Sequence, residues 1–296
     1  MTEPQRTPGV TPFDALGHYK ILERIGVGGL GDVYRGRDTR LGRTVAIKVP
    51  ADDLQSDAVR REALLRDANA ALALSHPNIA TLYEIGDEHG TAFFVFEFAP
   101  GETLKRVIAG QPMNPRRAVD LAAQIADALA DAHASDIVYG GLGPDAVIVT
   151  PKGNAKILDF GFARWTKGAA SRADEGADER GDIVALGQLL FEMLTGKPPV
   201  AGGSGLATGL SPSLPGELRT MVSKSGSAEG DAYQSAAAMA AALRSVAAIL
   251  DVRATTDAVR VVPVRSRRHA KWQAPWIVAA VLLAFAALAG AAWWLL

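Results

Sequence analysis

The chain has 296 residues, no cysteine and a net charge of −1 from 31 basic and 32 acidic side chains. Without cysteine it has neither disulfides nor thiolate metal sites, and without a positive excess nothing argues for nucleic acid as an electrostatic partner. The length allows one domain of two lobes with appendages. Residues 1–18, with Pro4, Pro8 and Pro12 and few large apolar groups, are expected to form a flexible tail without a signal-peptide pattern.

The next feature is Gly26-Val27-Gly28-Gly29-Leu30-Gly31, a G-x-G-x-x-G run with Val33 two residues on. A dinucleotide-binding unit would open a helix directly after the last glycine. Here Asp32 to Gly36 and Thr44 to Val49 are β-rich runs around a turn at Leu41-Gly42-Arg43, so the glycines belong to a strand-turn-strand. Such a backbone can approach a phosphate closely. The second run carries Val45-Ala46-Ile47-Lys48. Further on come Leu74-Ser75-His76-Pro77-Asn78-Ile79 and the apolar Phe94-Val95-Phe96-Glu97-Phe98-Ala99. The periodicity predicts a helix over Pro115 to Ala134, with Val119, Ala122, Ile125, Ala126 and Leu129 on one face. Asp159-Phe160-Gly161 follows, and Asp182 opens a stretch that runs through Phe191-Glu192-Met193-Leu194-Thr195-Gly196-Lys197-Pro198-Pro199. Ile183 to Leu194 is apolar nearly all round, as in a helix buried at a lobe's centre, and too short to span a bilayer.

In this order, from about Tyr19 to about Leu250, the chain resembles the bacterial membrane-anchored Ser/Thr protein kinases of the Hanks type. The resemblance implies an α+β fold of two lobes, β-rich over residues 19–99 and helical over 100–250. It implies that Gly26, Val27, Gly28, Gly29, Leu30, Gly31, Val33, Ala46, Lys48, Phe96, Glu97, Ala99 and Ile148 surround ATP or ADP. Lys48 would contact the α- and β-phosphates, Phe96 would be the gatekeeper, and Glu97 and Ala99 would donate backbone contacts to adenine. Asp159 would be the Mg²⁺ ligand. Asp67, one methylene shorter than the usual glutamate, stands where an N-lobe helix residue pairs with the lysine.

Tyr139-Gly140-Gly141-Leu142-Gly143-Pro144-Asp145-Ala146 departs from the family. In the pattern His-Arg-Asp-Leu-Lys-Pro-x-Asn the Asp accepts the substrate proton, the Lys faces the transferring phosphoryl group and the Asn holds a metal. Those positions are Gly141, Gly143 and Ala146, so no catalytic residue is expected; Asp145 occupies the variable slot. Only twenty residues separate Gly161 from Asp182, with no Ala-Pro-Glu, and Ala232 replaces the arginine that would pair with that glutamate. Removing one partner of a buried ion pair is costly, whereas removing both is nearly neutral. The expectation is a pseudokinase-like member that binds ATP or ADP weakly, with one Mg²⁺ or none. It would act as a scaffold or allosteric partner of other proteins, such as an active kinase or a membrane signalling complex. Two alternatives stay open: an active Ser/Thr kinase with non-standard residues, and a nucleotide sensor. Thr166 and Ser171 are hydroxyls another kinase could reach, although loop hydroxyls are common.

Residues 251–274 read as a polar linker, with Arg265, Arg267, Arg268 and Lys271 near its end. Residues 275–296 are expected to form a transmembrane helix: Trp276 to Leu296 is uncharged and, at about 1.5 Å per residue, long enough for a hydrocarbon core of about 30 Å. Tryptophans lie near both ends, and the basic flank places the kinase-like domain on the cytoplasmic face of the inner membrane.

Overall fold

The computed structural model describes residues 12–162, 165, 178–199, 209–226 and 232–261. Alternation along two strands explains how the N-lobe is built. In β4 (Thr44–Pro50), Val45, Ile47 and Val49 enter one apolar cluster with Tyr19, Tyr34, Phe93 and Val95. In β6 (Thr91–Glu97), Phe94 and Phe96 enter a second cluster with Leu64 and Ala68. Successive side chains point to opposite faces of a strand, so Ala46 and Lys48 share the Phe94 and Phe96 face. These strands belong to one antiparallel sheet, completed by β1 (Ala15–Leu16), β2 (Tyr19–Val27), β3 (Gly31–Asp38) and β5 (Leu82–Glu88) in the order β1-β2-β3-β4-β6-β5. Between β4 and β5 run α1 (Asp52–Ser56) and α2 (Ala58–Ala71), and Asp57 caps α2 by accepting from the amides of Val59 and Arg60.

The C-lobe starts with β7 (Glu102–Thr103), α3 (Leu104–Ile108) and α4 (Pro115–His133). Asn114 caps α4 and Pro115 stands in its first turn, where a missing N–H costs nothing. The five residues expected on one face of this helix are fully buried. A 3₁₀ turn at Pro144–Ala146 leads into β8 (Val147–Val149) and β9 (Ala155–Ile157), which form a small sheet with β7. Then come α5 (Glu179–Thr195), α6 (Gly216–Ser225) and α7 (Ala236–Val261). The turn after α2 is stitched to the C-lobe: Ile157 N–H donates to the Asn78 carbonyl and Ala80 N–H to the Ile157 carbonyl, both at 2.8 Å. The Asn78 side chain adds bonds to the Ala155 carbonyl at 2.7 Å and to Gln124 at 3.0 Å.

One buried carboxylate positions the loop after α4. Asp182, on α5, has no solvent exposure and accepts from the amides of Tyr139 at 2.8 Å and Gly140 at 2.9 Å. His133 Nε2 lies 2.9 Å from the same carboxylate; because an ionised carboxylate only accepts, Nε2 is the protonated nitrogen.

Two expectations change at the C-terminal end. Residues from 251 onward, expected as linker, remain helical through Val261, because Ala236 to Val261 contains neither glycine nor proline and Pro263 comes only afterwards. The expected transmembrane segment lies outside the described residues; among the described residues no helix is long and apolar enough to cross a membrane.

Asp182→Ala strands the buried amide of Tyr139, the partly buried amide of Gly140 and a buried imidazole. Urea unfolding is expected to show a loss of about 3 kcal/mol or more, whereas a loss under about 1 kcal/mol would mean that the carboxylate does not hold the loop.

Candidate functional site

A cleft of about 720 Å³ lies between the N-lobe sheet and the β8–β9 hairpin, within the usual size range of small-molecule sites. Ile25, Val33 and Ala46 line it from the sheet, Phe96 from the end of β6, and Ile148 and Leu158 from the C-lobe. Of the residues expected around a nucleotide, Gly26, Val27, Gly28, Gly29, Val33, Ala46, Lys48, Phe96, Glu97, Ala99 and Ile148 border this cleft, as does Asp159. Leu30 and Gly31 do not. Leu30 is 1% exposed and packs with Leu54 and Leu64 inside the N-lobe, tying the glycine turn down. Gly31 lies so close to β4 that a methyl group there would meet the Val49 carbonyl oxygen at 2.2 Å, so its glycine serves strand packing. Ile25, Ala80, Phe98, Thr103 and Leu158, not expected from the sequence, also border the cleft. Ile25, directly before the first glycine, and Leu158, directly before Asp159, were legible from their neighbours.

At the linker between the lobes, the Glu97 amide already donates to the Thr81 carbonyl at 2.8 Å, and its carboxylate pairs with Lys156 at 2.7 Å. The expected donation from Glu97 to a base is therefore not open. The amide of Ala99, which borders the cleft, has no partner among the described residues.

Deeper in the cleft, Lys48 forms its ion pair with Asp159. Asp67 does not take that place: its carboxylate accepts from the Trp165 indole N–H at 2.6 Å. The cause is packing. Phe162 is fully buried under α2, with its ring 5.0 Å from Phe94 and 5.5 Å from Phe96. The chain that carries Phe162 and Trp165 therefore fills the space beside Asp67. Asp159 itself has φ 57°, a left-handed conformation uncommon for non-glycine residues and more accessible to Asp than to most.

The loop on the C-lobe side is intact as backbone and bare as chemistry. Tyr139 is buried edge-to-face on Phe160, 5.2 Å between centroids, and its hydroxyl donates to the Leu158 carbonyl at 3.2 Å. Burial, reinforced by Asp159 and Asp182, pushes that hydroxyl far above the ordinary tyrosine range, so it stays a neutral donor. Gly140 and Gly141 have φ 76° and 136°, conformations that side chains resist. A Cβ at Gly141 or Gly143 would meet nothing within 4 Å, so the space of the lost side chains is empty. Asp145 pairs with Lys105 at 2.9 Å, and this bond raises the lysine above its ordinary value. That carboxylate is engaged away from the base position.

A search against protein families matches residues 19–212 to the protein kinase domain. The chain belongs to the protein kinase family. Bacterial Ser/Thr kinases are among the relatives of this kinase domain. Serine/threonine-protein kinase PrkC of Bacillus subtilis is 35% identical over 212 residues, covering 66% of this chain and 33% of that protein. PknB of Mycobacterium tuberculosis is 31% identical over 218 residues, covering 66% and 35%. The kinase domain thus spans about a third of the length of the curated relatives it matches. The crystal structure of the Mycobacterium tuberculosis PknI kinase domain superposes with a TM-score of 0.67 at 22% identity, covering 81% of this chain and 99% of that one. This likeness establishes the two-lobed fold.

Magnesium, which the family implies, fits poorly. Asp159 is tied to Lys48, and Ala146, at the second ligand position, has no side-chain oxygen. Thr166 and Ser171 lie outside the described residues.

Restoring Asp at 141, Lys at 143 and Asn at 146 together puts a side chain on the backbone at φ 136°, a strain of about 1–3 kcal/mol. The triple variant is expected to transfer radiolabelled phosphate no faster than Lys48→Ala; clear transfer would show that side chains alone were missing.

Proposed function

We propose that this kinase-family domain binds a purine nucleotide, does not transfer its phosphate, and serves as a membrane-tethered scaffold or allosteric partner of other proteins. The observation that carries the reading is the loop from Tyr139 to Ala146. Asp182 holds its backbone, yet the positions of the base, the phosphoryl-facing lysine and the metal-binding asparagine carry Gly141, Gly143 and Ala146, and the loop's one carboxylate, Asp145, is paired with Lys105. A general base contributes about 10²–10⁴-fold in rate, and fixed charges at the transferring group often contribute more. The nucleotide side is better preserved, with an apolar slot, an unpartnered Ala99 amide, Lys48 and Asp159. Tethering rests on the uncharged run from Trp276 to Leu296 after a basic flank. A tether raises local concentration near membrane partners, which suits a module that works without turnover.

Two measurements check this. Calorimetric titration of the detergent-solubilised chain is expected to show nucleotide binding, while the same preparation transfers no labelled phosphate to itself or to a general substrate. Transfer abolished by Lys48→Ala would identify an active kinase instead. Deleting residues 275–296 is expected to move the protein from the membrane to the soluble fraction, and an unchanged distribution would remove the tether from the reading.

A further inference from the structure

The cleft treats the two halves of a nucleotide differently. Its base slot is open and apolar, between Val33 and Ala46 on one side and Ile148 and Leu158 on the other. Its phosphate end is closed by charge. The Lys48 side chain is 9% exposed and that of Asp159 17%, so a nearly dry ion pair occupies the position where a phosphate would meet the lysine. The glycine turn also lies low: a methyl group at Gly28 would sit 3.9 Å from Lys48 Nζ. Among the described residues, the other lysines near the cleft are also paired, Lys156 with Glu97 and Lys105, at the surface, with Asp145.

An anionic triphosphate arriving here would have to break the Lys48–Asp159 pair and then face the released carboxylate. In an active kinase a metal ion neutralises that carboxylate together with the phosphates. Here the second ligand is Ala146, so no such ion is held in place. The gain from a Lys48–phosphate contact is offset by the buried carboxylate left without a partner.

We propose that the cleft recognises its occupant by the base alone: it takes a purine nucleoside or nucleotide without magnesium, and added phosphates do not tighten binding. This rests on the cleft being a nucleotide site. It assigns the site a weakly charged heteroaromatic ligand class, with Asp159 acting as the internal counter-ion of Lys48 and not as a metal ligand.

Isothermal titration of the full chain in detergent with adenosine, ADP and ATP, each in EDTA and in millimolar Mg²⁺, tests it. ATP is expected to bind no more than about threefold tighter than adenosine, and Mg²⁺ to change its Kd by less than about twofold. A larger preference for ATP, or a requirement for Mg²⁺, overturns the inference while leaving nucleotide binding in place. Failure of all three ligands to bind overturns both. Asp159→Asn supplies a second arm, with adenosine binding as its check on folding. Releasing Lys48 is expected to raise ATP affinity about fivefold or more relative to adenosine, and an unchanged or lower ATP affinity counts against the counter-ion role.

Discussion

The carboxylate of Asp182 is the constraint on which the rest of the C-lobe depends. It is buried without solvent and satisfied by two consecutive amides and one imidazole, and each of those donors would be costly to leave unpaired. It joins α5, α4 and the loop between α4 and β8. The ring of Tyr139 then packs on Phe160, and its hydroxyl bonds the residue before Asp159. Through these contacts the frame of the loop is held although Gly141, Gly143 and Ala146 stand at the family's catalytic positions. The frame is a structural property of the lobe, separable from the side chains it carries.

Two largely buried lysines at the cleft are paired within the protein. Lys48 meets Asp159 and Lys156 meets Glu97, while Lys105 meets Asp145 only at the surface. A site built to accept polyanions keeps some positive charge unspent or supplies a metal, since desolvated charges repel or attract far more strongly than those in water. Pairing within the protein leaves shape and apolar contact as the features a ligand can exploit. The second consequence is mechanical: with Asp67 held by Trp165 and Phe162 seated under α2, the N-lobe helix is coupled to the start of the segment after Asp159 and not to the lysine.

Much of this was legible in the residues. The β-rich runs around Leu41-Gly42-Arg43 carried Lys48 on a strand, and the absence of a helix after Gly31 separated this glycine run from a dinucleotide fold. The amphipathic face of α4 was readable position by position. What stayed hidden depended on contacts distant in sequence. Leu30, in the glycine run, was expected beside the nucleotide but is drawn into the core by Leu54 and Leu64. Asp67 stood at the right spacing for Lys48, yet an indole 98 residues later takes its carboxylate. Glu97 had its amide spent on Thr81, a bond that local pattern cannot reveal. The helix past residue 251 was obscured by its polar composition, which suggested a linker although no residue there breaks a helix.

The glycine pair at 140 and 141 bears on what this loop can carry. At φ 76° and 136° its backbone suits glycine. An aspartate placed at 141 would meet strain at once, while a base there would work only beside a lysine, a metal ligand and a substrate platform. Backbone and residue type are coupled in this way: the conformation of position 141 limits its side chain before any chemistry is considered.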